Sequence, residues 1–292
     1  MPQTLSQIKA VLAAHGLRPK HRHGQNFLVD HNHLARIVAA AALVPGEVVL
    51  EVGPGTGTLT QALLDAQADL RVIAVEIDAE LEPILRQNLA TPIAQGRVEL
   101  IFTDILENKH TIAPRVLEAL HSQGQGNRPD TGRLAPGPFK LIANLPYHVA
   151  SPLLVNLVVD HPALTLALVM VQREVADRLT AGPATKAYGP LGIILQAACA
   201  VERVAVLSPG CFWPAPEVAS AVVRIERLRH PLTDDLAGFA AAVHRMFAGR
   251  RKQLGALLGR DFPFPPGIAP TLRAEALSVE QLVELSRLMT RE

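Results

Sequence analysis

The sequence predicts an α/β protein built on a doubly wound parallel sheet and closed by a small all-helical domain. First, the apolar period switches to strand-like near residue 48, where VVLEVG (48–53) runs straight into PGTGTLTQALL. RVIAVEI (71–77) then runs into the helical pattern DAELEPILRQNL. Strand, glycine turn, helix, strand, helix is how such a sheet opens. Second, further strand-like runs follow at 98–102, 139–144, 164–170, 201–207 and 220–226, with helical patterns at 151–159, 173–179 and 191–200 between them. Third, strand-like runs disappear after Arg227. LTDDLAGFAAAVHRMF, KQLGALL and SVEQLVELSRLM have helical spacing, and PFPPGIAP links them.

Taken in order, residues 1–30 form a basic N-terminal arm, and LARIVAAAALV is a helix stopped by Pro45-Gly46. The sheet domain covers 31–228. Within it 107–138 loses the rhythm in HSQGQGNRPDTGRLAPGP and reads as a surface excursion, mobile at its centre. Residues 229–292 form the helical domain.

Composition narrows the function classes. Apolar residues make up 49% of the 292 and charged ones 19%, with no uninterrupted apolar stretch of membrane-spanning length, so a soluble, globular protein without a membrane partner is expected. Two cysteines make no disulfide framework, and the start MPQTLSQIKA has no basic-then-apolar signal pattern, so a cytoplasmic location is expected. Net charge is only +1, but cations gather in two places: Lys9, Arg18, Lys20, Arg22 and Arg36, and later Arg245, Arg250, Arg251 and Lys252. Both are ordinary solvated faces or nucleic-acid contacts. His21, His23, His31 and His33, with Cys199 and Cys211, match no standard zinc spacing, so no metal is expected.

The chemistry begins at the glycine turn. Gly53, Gly55 and Gly57 leave the first strand where a ligand can approach the main chain, and Glu76 closes the second strand, placed to accept both hydroxyls of an adenosine ribose. Glu51, just before the turn, would repel a pyrophosphate and suit a cationic ligand. The turn therefore favours adenosine without pyrophosphate and resembles the S-adenosylmethionine loop of Rossmann-like methyltransferases. A nicotinamide or flavin site, or purely structural glycines, are the alternatives. Asp104 after the third strand is an adenine-amino acceptor or a helix cap.

After the fourth strand, Asn144-Leu145-Pro146-Tyr147 reaches the same sheet edge. A side-chain amide oxygen and a backbone carbonyl can accept the two N–H bonds of an adenine amine and steer its lone pair toward a sulfonium methyl. Proline constrains the backbone that presents the Pro146 carbonyl, and Tyr147 can stack on a base that has left the RNA stack. The alternative is a plain strand exit with a buried tyrosine.

With HGQNFLVD, LEVGPGTGTLT, VIAVEIDAEL, TDIL, LIANLPYHVASPLL, FWPAPEVASAVVRI, FAGRRKQLGALL and LRAEALSVEQL in one order along the chain, the sequence resembles the ribosomal small-subunit RNA adenine dimethyltransferases of the KsgA or RsmA type. The resemblance implies a class I methyltransferase sheet, S-adenosylmethionine without a metal, and an RNA partner within an assembling small subunit. It also implies a monomer that places two methyl groups on each of two adjacent adenosines in the 3′-terminal hairpin. Matched by motif, it implies that Gln25, Asn26 and Leu28 cover the cofactor, with Glu51, Gly53, Gly55, Gly57, Glu76, Asp104 and Asn144 around it. Asn144, Pro146 and Tyr147 would orient the amine, Phe212 would lie near the target base, and Arg250, Arg251 and Lys252 would meet phosphates. His23, Ala143 and His148 depart from the usual family residues. The rivals are a macrolide-resistance type methyltransferase acting on large-subunit RNA, and a non-catalytic assembly factor.

Overall fold

Seven apolar runs pair into one sheet: β1 (Val48–Val52), β2 (Arg71–Glu76), β3 (Val98–Phe102), β4 (Phe139–Asn144), β5 (Leu164–Gln172), β6 (Cys199–Leu207) and β7 (Ser220–Arg227). The computed structural model that shows this describes residues 3–122, 137–259 and 261–289. The spatial order is 3-2-1-4-5-7-6. The first five strands are parallel, and β7 runs antiparallel to both β5 and β6. Central β1 is buried at every position, as a strand covered on both faces must be, whereas edge strand β6 exposes most of its side chains.

Alternate residues of β1 point into different layers. Val49 enters the core beneath α1 (Leu5–Ala14), α2 (His31–Ala40), α3 (Thr58–Ala66) and α4 (Glu82–Asn88), while Leu50 and Val52 enter the opposite one. That second layer is covered by α5 (Pro114–Ser122), α6 (Tyr147–Asp160), α7 (Arg173–Leu179) and α8 (Pro190–Ala198). The last three helices are α9 (Leu236–Ala248), α10 (Leu254–Leu258) and α11 (Val279–Met289). Among the described residues, no helix is long and apolar enough to cross a membrane.

Several expectations change. The first thirty residues are no separate arm: α1 is closed by a Thr4–Gln7 capping box, and Ile8 and Leu12 are buried in the same cluster as Val49. The expected excursion begins with a short hairpin (Leu106–Asn108 with Thr111–Ile112) and α5, whose Val116, Ala119 and Leu120 are buried on the sheet. The glycine-rich remainder, 123–136, lies outside the described residues. Helix α6 starts four residues early, at Tyr147, and contains Pro152. Helix α8 stops at Ala198 because Cys199 turns extended and pairs with Arg227 on β7.

The expected boundary at residue 229 is not a boundary in packing. Tyr188, Ile193, Ile194 and Ala197 share one apolar cluster with Phe239, Val243, Met246 and Leu282 of the C-terminal helices. Tyr188 is fully buried, and its hydroxyl donates to the Leu277 carbonyl at 2.9 Å. Tyr188→Phe leaves that carbonyl unpaired in the interior. It should cost about 1–3 kcal/mol, read as a lower midpoint in urea denaturation with an unchanged slope.

Candidate active site

The carboxyl ends of β1, β2, β3 and β4 open onto one cleft, as crossovers on both faces of a parallel sheet require. Between β1 and α3 the chain turns through Gly53, Gly55 and Gly57, all with left-handed φ (72°, 60° and 86°). Gly55 is needed twice over. A Cβ there would meet the Phe27 ring at 2.9 Å, and its φ strains any L side chain. The turn and the segment above it thus fit through one missing methyl group.

Two carboxylates face this cleft. Glu76 is 4% exposed; its Oε2 accepts the Gly55 N–H at 3.2 Å and its Oε1 the Asp78 N–H at 2.9 Å. Burial pushes its carboxyl up to about 7. Glu51, on the α1-side face of β1, is 1% exposed and its Oε2 has no partner among the described residues. Burial pushes it up to about 8, with the neighbouring Glu76 charge adding to this and Thr60 pulling the other way. An unpaired buried carboxyl oxygen beside a second carboxylate is costly in isolation and is satisfied by a cation entering the cleft. Asp104 follows β3, exposed on the cleft wall, and its Oδ1 accepts the Leu106 N–H at 3.0 Å, so it braces a turn rather than capping a helix.

Residues 24–28 cover the cleft from the N-terminal side. Phe27 and Leu28 pair antiparallel with Trp213 and Phe212. Gln25 Nε2 donates to Asp78 Oδ2 at 2.8 Å while its Oε1 accepts the Lys20 N–H at 2.9 Å. Lys20 reaches Asp78 and Glu80, each at 2.8 Å. Burial pushes the Asp78 carboxyl up, but Lys20 and Gln25 outweigh it and hold the group below its ordinary value. Asp78 therefore fastens the covering segment two residues beyond Glu76. Sequence reasoning missed this, although Asp78 follows a strand at the sheet edge where sites form.

Asn144 ends β4. Its Nδ2 donates to the Asn26 carbonyl at 2.8 Å, which leaves Oδ1 as the end of the amide free to accept. Pro146 caps α6, and its carbonyl already accepts the Val149 N–H at 3.1 Å. The Leu145 carbonyl accepts no hydrogen bond among the described residues. Tyr147, the first residue of α6, has its hydroxyl 3.1 Å from Ser220 Oγ at the start of β7. Its side chain is only half-buried, unlike the buried tyrosine of the alternative reading.

Two expected site residues are placed elsewhere. Phe212 is 4% exposed within the α1-side core and beside Leu28, so it anchors the covering segment instead of reaching the cleft. Arg250 pairs with Glu275 at 2.6 Å and donates to the Lys186 carbonyl at 3.1 Å, tying the C-terminal helices to the loop before α8. Arg251 and Lys252 stay exposed.

A family model described as ribosomal RNA adenine dimethylase matches residues 16–290 of this chain. The chain is 38% identical over 288 residues to the ribosomal RNA small subunit methyltransferase A of Magnetococcus marinus, spanning 96% of this chain and 95% of that one. Among solved structures it resembles the 23S rRNA methyltransferase ErmE, with a TM-score of 0.64 and 26% identity over 91% of this chain and all of that one. A dimethyladenosine transferase from Plasmodium falciparum, at 21% identity, shares the fold with a TM-score of 0.69 over 91% of this chain and 98% of that one.

Proposed function

Because the chain belongs to the ribosomal RNA adenine dimethylase family, a family of S-adenosylmethionine-dependent methyltransferases, we propose that it methylates N6 of two adjacent adenosines in the 3′-terminal hairpin of small-subunit ribosomal RNA. The substrate would be an assembling small subunit, met in the cytoplasm by a monomer. The observation that carries the reading is the Asn144 amide, pinned through its nitrogen to Asn26 so that its oxygen is presented at the sheet edge that also holds Glu51 and Glu76. The small-subunit target is supported by relatives such as the Magnetococcus marinus enzyme, at 38% identity against 26% for the large-subunit enzyme ErmE.

When bound, S-adenosylmethionine supplies an electrophilic methyl on a sulfonium. Glu76 would take the ribose hydroxyls and Glu51 the ligand's positive charge, which fits the unpartnered oxygen of Glu51. Asp104 would meet the adenine, while Asn26 and Leu28 close the covering segment over it. The target amine would give one N–H to Asn144 Oδ1 and the other to a backbone carbonyl. Pro146 is the expected source of that carbonyl, its oxygen keeping a second lone pair beside the Val149 bond, and the Leu145 carbonyl is the other candidate. With both N–H bonds held, the nitrogen lone pair turns out of the ring and toward the methyl. Tyr147, steadied by Ser220, would stack on the extruded base.

The test is methyl transfer from labelled S-adenosylmethionine to undermethylated small subunits, mature small subunits and large-subunit RNA in parallel, with nucleoside analysis. Dimethyladenosine on undermethylated small subunits alone is expected. Product on large-subunit RNA, or particle binding without product, overturns the reading. For the cationic cluster, neutralising Arg251 and Lys252 should lower the slope of log affinity against log salt by about 0.7–0.9 per charge. Arg250→Ala should leave that slope in place and lower the melting temperature instead, because its guanidinium already serves Glu275 and Lys186.

A further inference from the structure

Behind the covering segment, three side chains of different chemistry converge. Asp30 caps α2, its Oδ1 accepting the His33 N–H at 2.9 Å and lying 3.2 Å from His33 Nδ1. Cys211, in the turn that leads into Phe212 and Trp213, places its Sγ 3.9 Å from Asp30 Oδ2 and 3.9 Å from His33 Nδ1. One ligand-capable atom from each residue lies within 4.8 Å of the other two. Spacing along the chain concealed the group, since Cys211 is 181 residues from Asp30.

We propose that Asp30, His33 and Cys211 form a binding site for a divalent transition ion of the zinc class, which ties the N-terminal segment to the turn after β6. Tetrahedral zinc, with bonds of about 2.3 Å to sulfur and about 2.0 Å to nitrogen and oxygen, holds its ligand atoms about 3.3–3.6 Å apart. The sulfur contacts here are longer, and Asp30 meets Cys211 through Oδ2 but His33 through Oδ1, so an ion needs an inward movement of Cys211 and a turn of the Asp30 carboxyl. At 3.9 Å the same sulfur contacts are weak as direct hydrogen bonds.

The surroundings favour such an ion. The Val29 N–H donates to the Cys211 carbonyl at 2.9 Å, and Leu28 pairs with Phe212, so the backbone holds the ligands together before any ion arrives. Cys211 is buried, while Asp30 and His33 remain about a third and a fifth exposed, which gives an entry path and room for a water as fourth ligand. The thiol selects against magnesium and calcium, which demand oxygen. On binding, the Cys211 proton passes to solvent and neutral His33 gives its Nδ1 pair. Thiolate and carboxylate then balance the dication, so the occupied site adds no net charge at the positive end of α2. Asp30 is four residues from Asn26, so an occupied site would stiffen the segment that holds the Asn144 amide, whatever RNA that segment serves.

The test titrates cobalt(II) into the full chain, kept reduced with a phosphine, and reads the sulfur-to-cobalt charge-transfer band. Wild type should show the band saturating at one equivalent, displaced by zinc, together with a raised melting temperature. Cys211→Ser should lose the band, and His33→Ala should weaken binding by at least about tenfold. Absence of the band in wild type, or its survival in Cys211→Ser, overturns the proposal. Should Cys211→Ser fail to fold, unchanged cobalt affinity in His33→Ala does so as well.

Discussion

Asn144→Ala is expected to lower the rate of methyl transfer by roughly 10²–10³-fold at saturating cofactor, the range seen when one preorganised polar group is removed from the reacting centre. Binding of the RNA particle should change only a few-fold. The adenine amine is a weak nucleophile because its lone pair is shared with the ring, and the Asn144 oxygen is placed to pull one N–H out of that plane. The same amide also fastens Asn26 through Nδ2, so alanine loosens the covering segment too. Asn144→Asp separates the roles: it keeps an acceptor oxygen but sets a carboxylate against the Asn26 carbonyl. It should therefore weaken cofactor binding more than the alanine variant does, while keeping more of the single-turnover rate at saturation. Equal losses of particle binding and transfer in Asn144→Ala would remove Asn144 from amine orientation.

The strands were legible because each is a β-branched or apolar run buried on at least one face, and the glycine turn because three left-handed positions admit little else. Helices were legible where nothing local masked their period. Pro152 hid the first turn of α6, although a proline that early removes only the bond to the His148 carbonyl. The glycine-rich stretch beyond α5 hid the spacing of Val116, Ala119 and Leu120. Thr4-x-x-Gln7 was a readable capping box ahead of α1, but basic neighbours made the segment look like a tail. What no local pattern could reveal is pairing at long range. Arg250 looked free until Glu275 arrived beside it, and Phe212 looked like a base-stacking aromatic until Leu28 paired with it. Glu51 was the converse case, where a position just before the turn placed a carboxyl that the fold leaves with an unpartnered oxygen among the described residues.

The release of protons on cofactor binding is the second large effect expected, and it follows from Glu51 and Glu76. Both carboxyls are raised by burial, to about 8 and about 7 from 4.5. Without ligand they hold protons near neutrality that the unfolded chain has lost. Their contribution to stability is thus fully present below pH 4.5 and lost as pH rises through about 7 and 8. A bound sulfonium and ammonium favour the ionised forms, so binding at about pH 6.5 should expel protons. Calorimetry in buffers of different ionisation enthalpy measures that number directly, and affinity should rise as pH climbs from about 6 to 7.5. Glu51→Gln should shrink the release and flatten the fall in ligand-free melting temperature between about pH 5 and 8. Glu76→Ala removes both proposed ribose contacts as well as the supports of Gly55 and Asp78. A loss of about 3 kcal/mol from two hydrogen bonds to a charged group weakens cofactor binding roughly 10²-fold. A wild-type affinity that ignores pH across this window, with no proton released, would show that neither carboxylate meets the cofactor's charge.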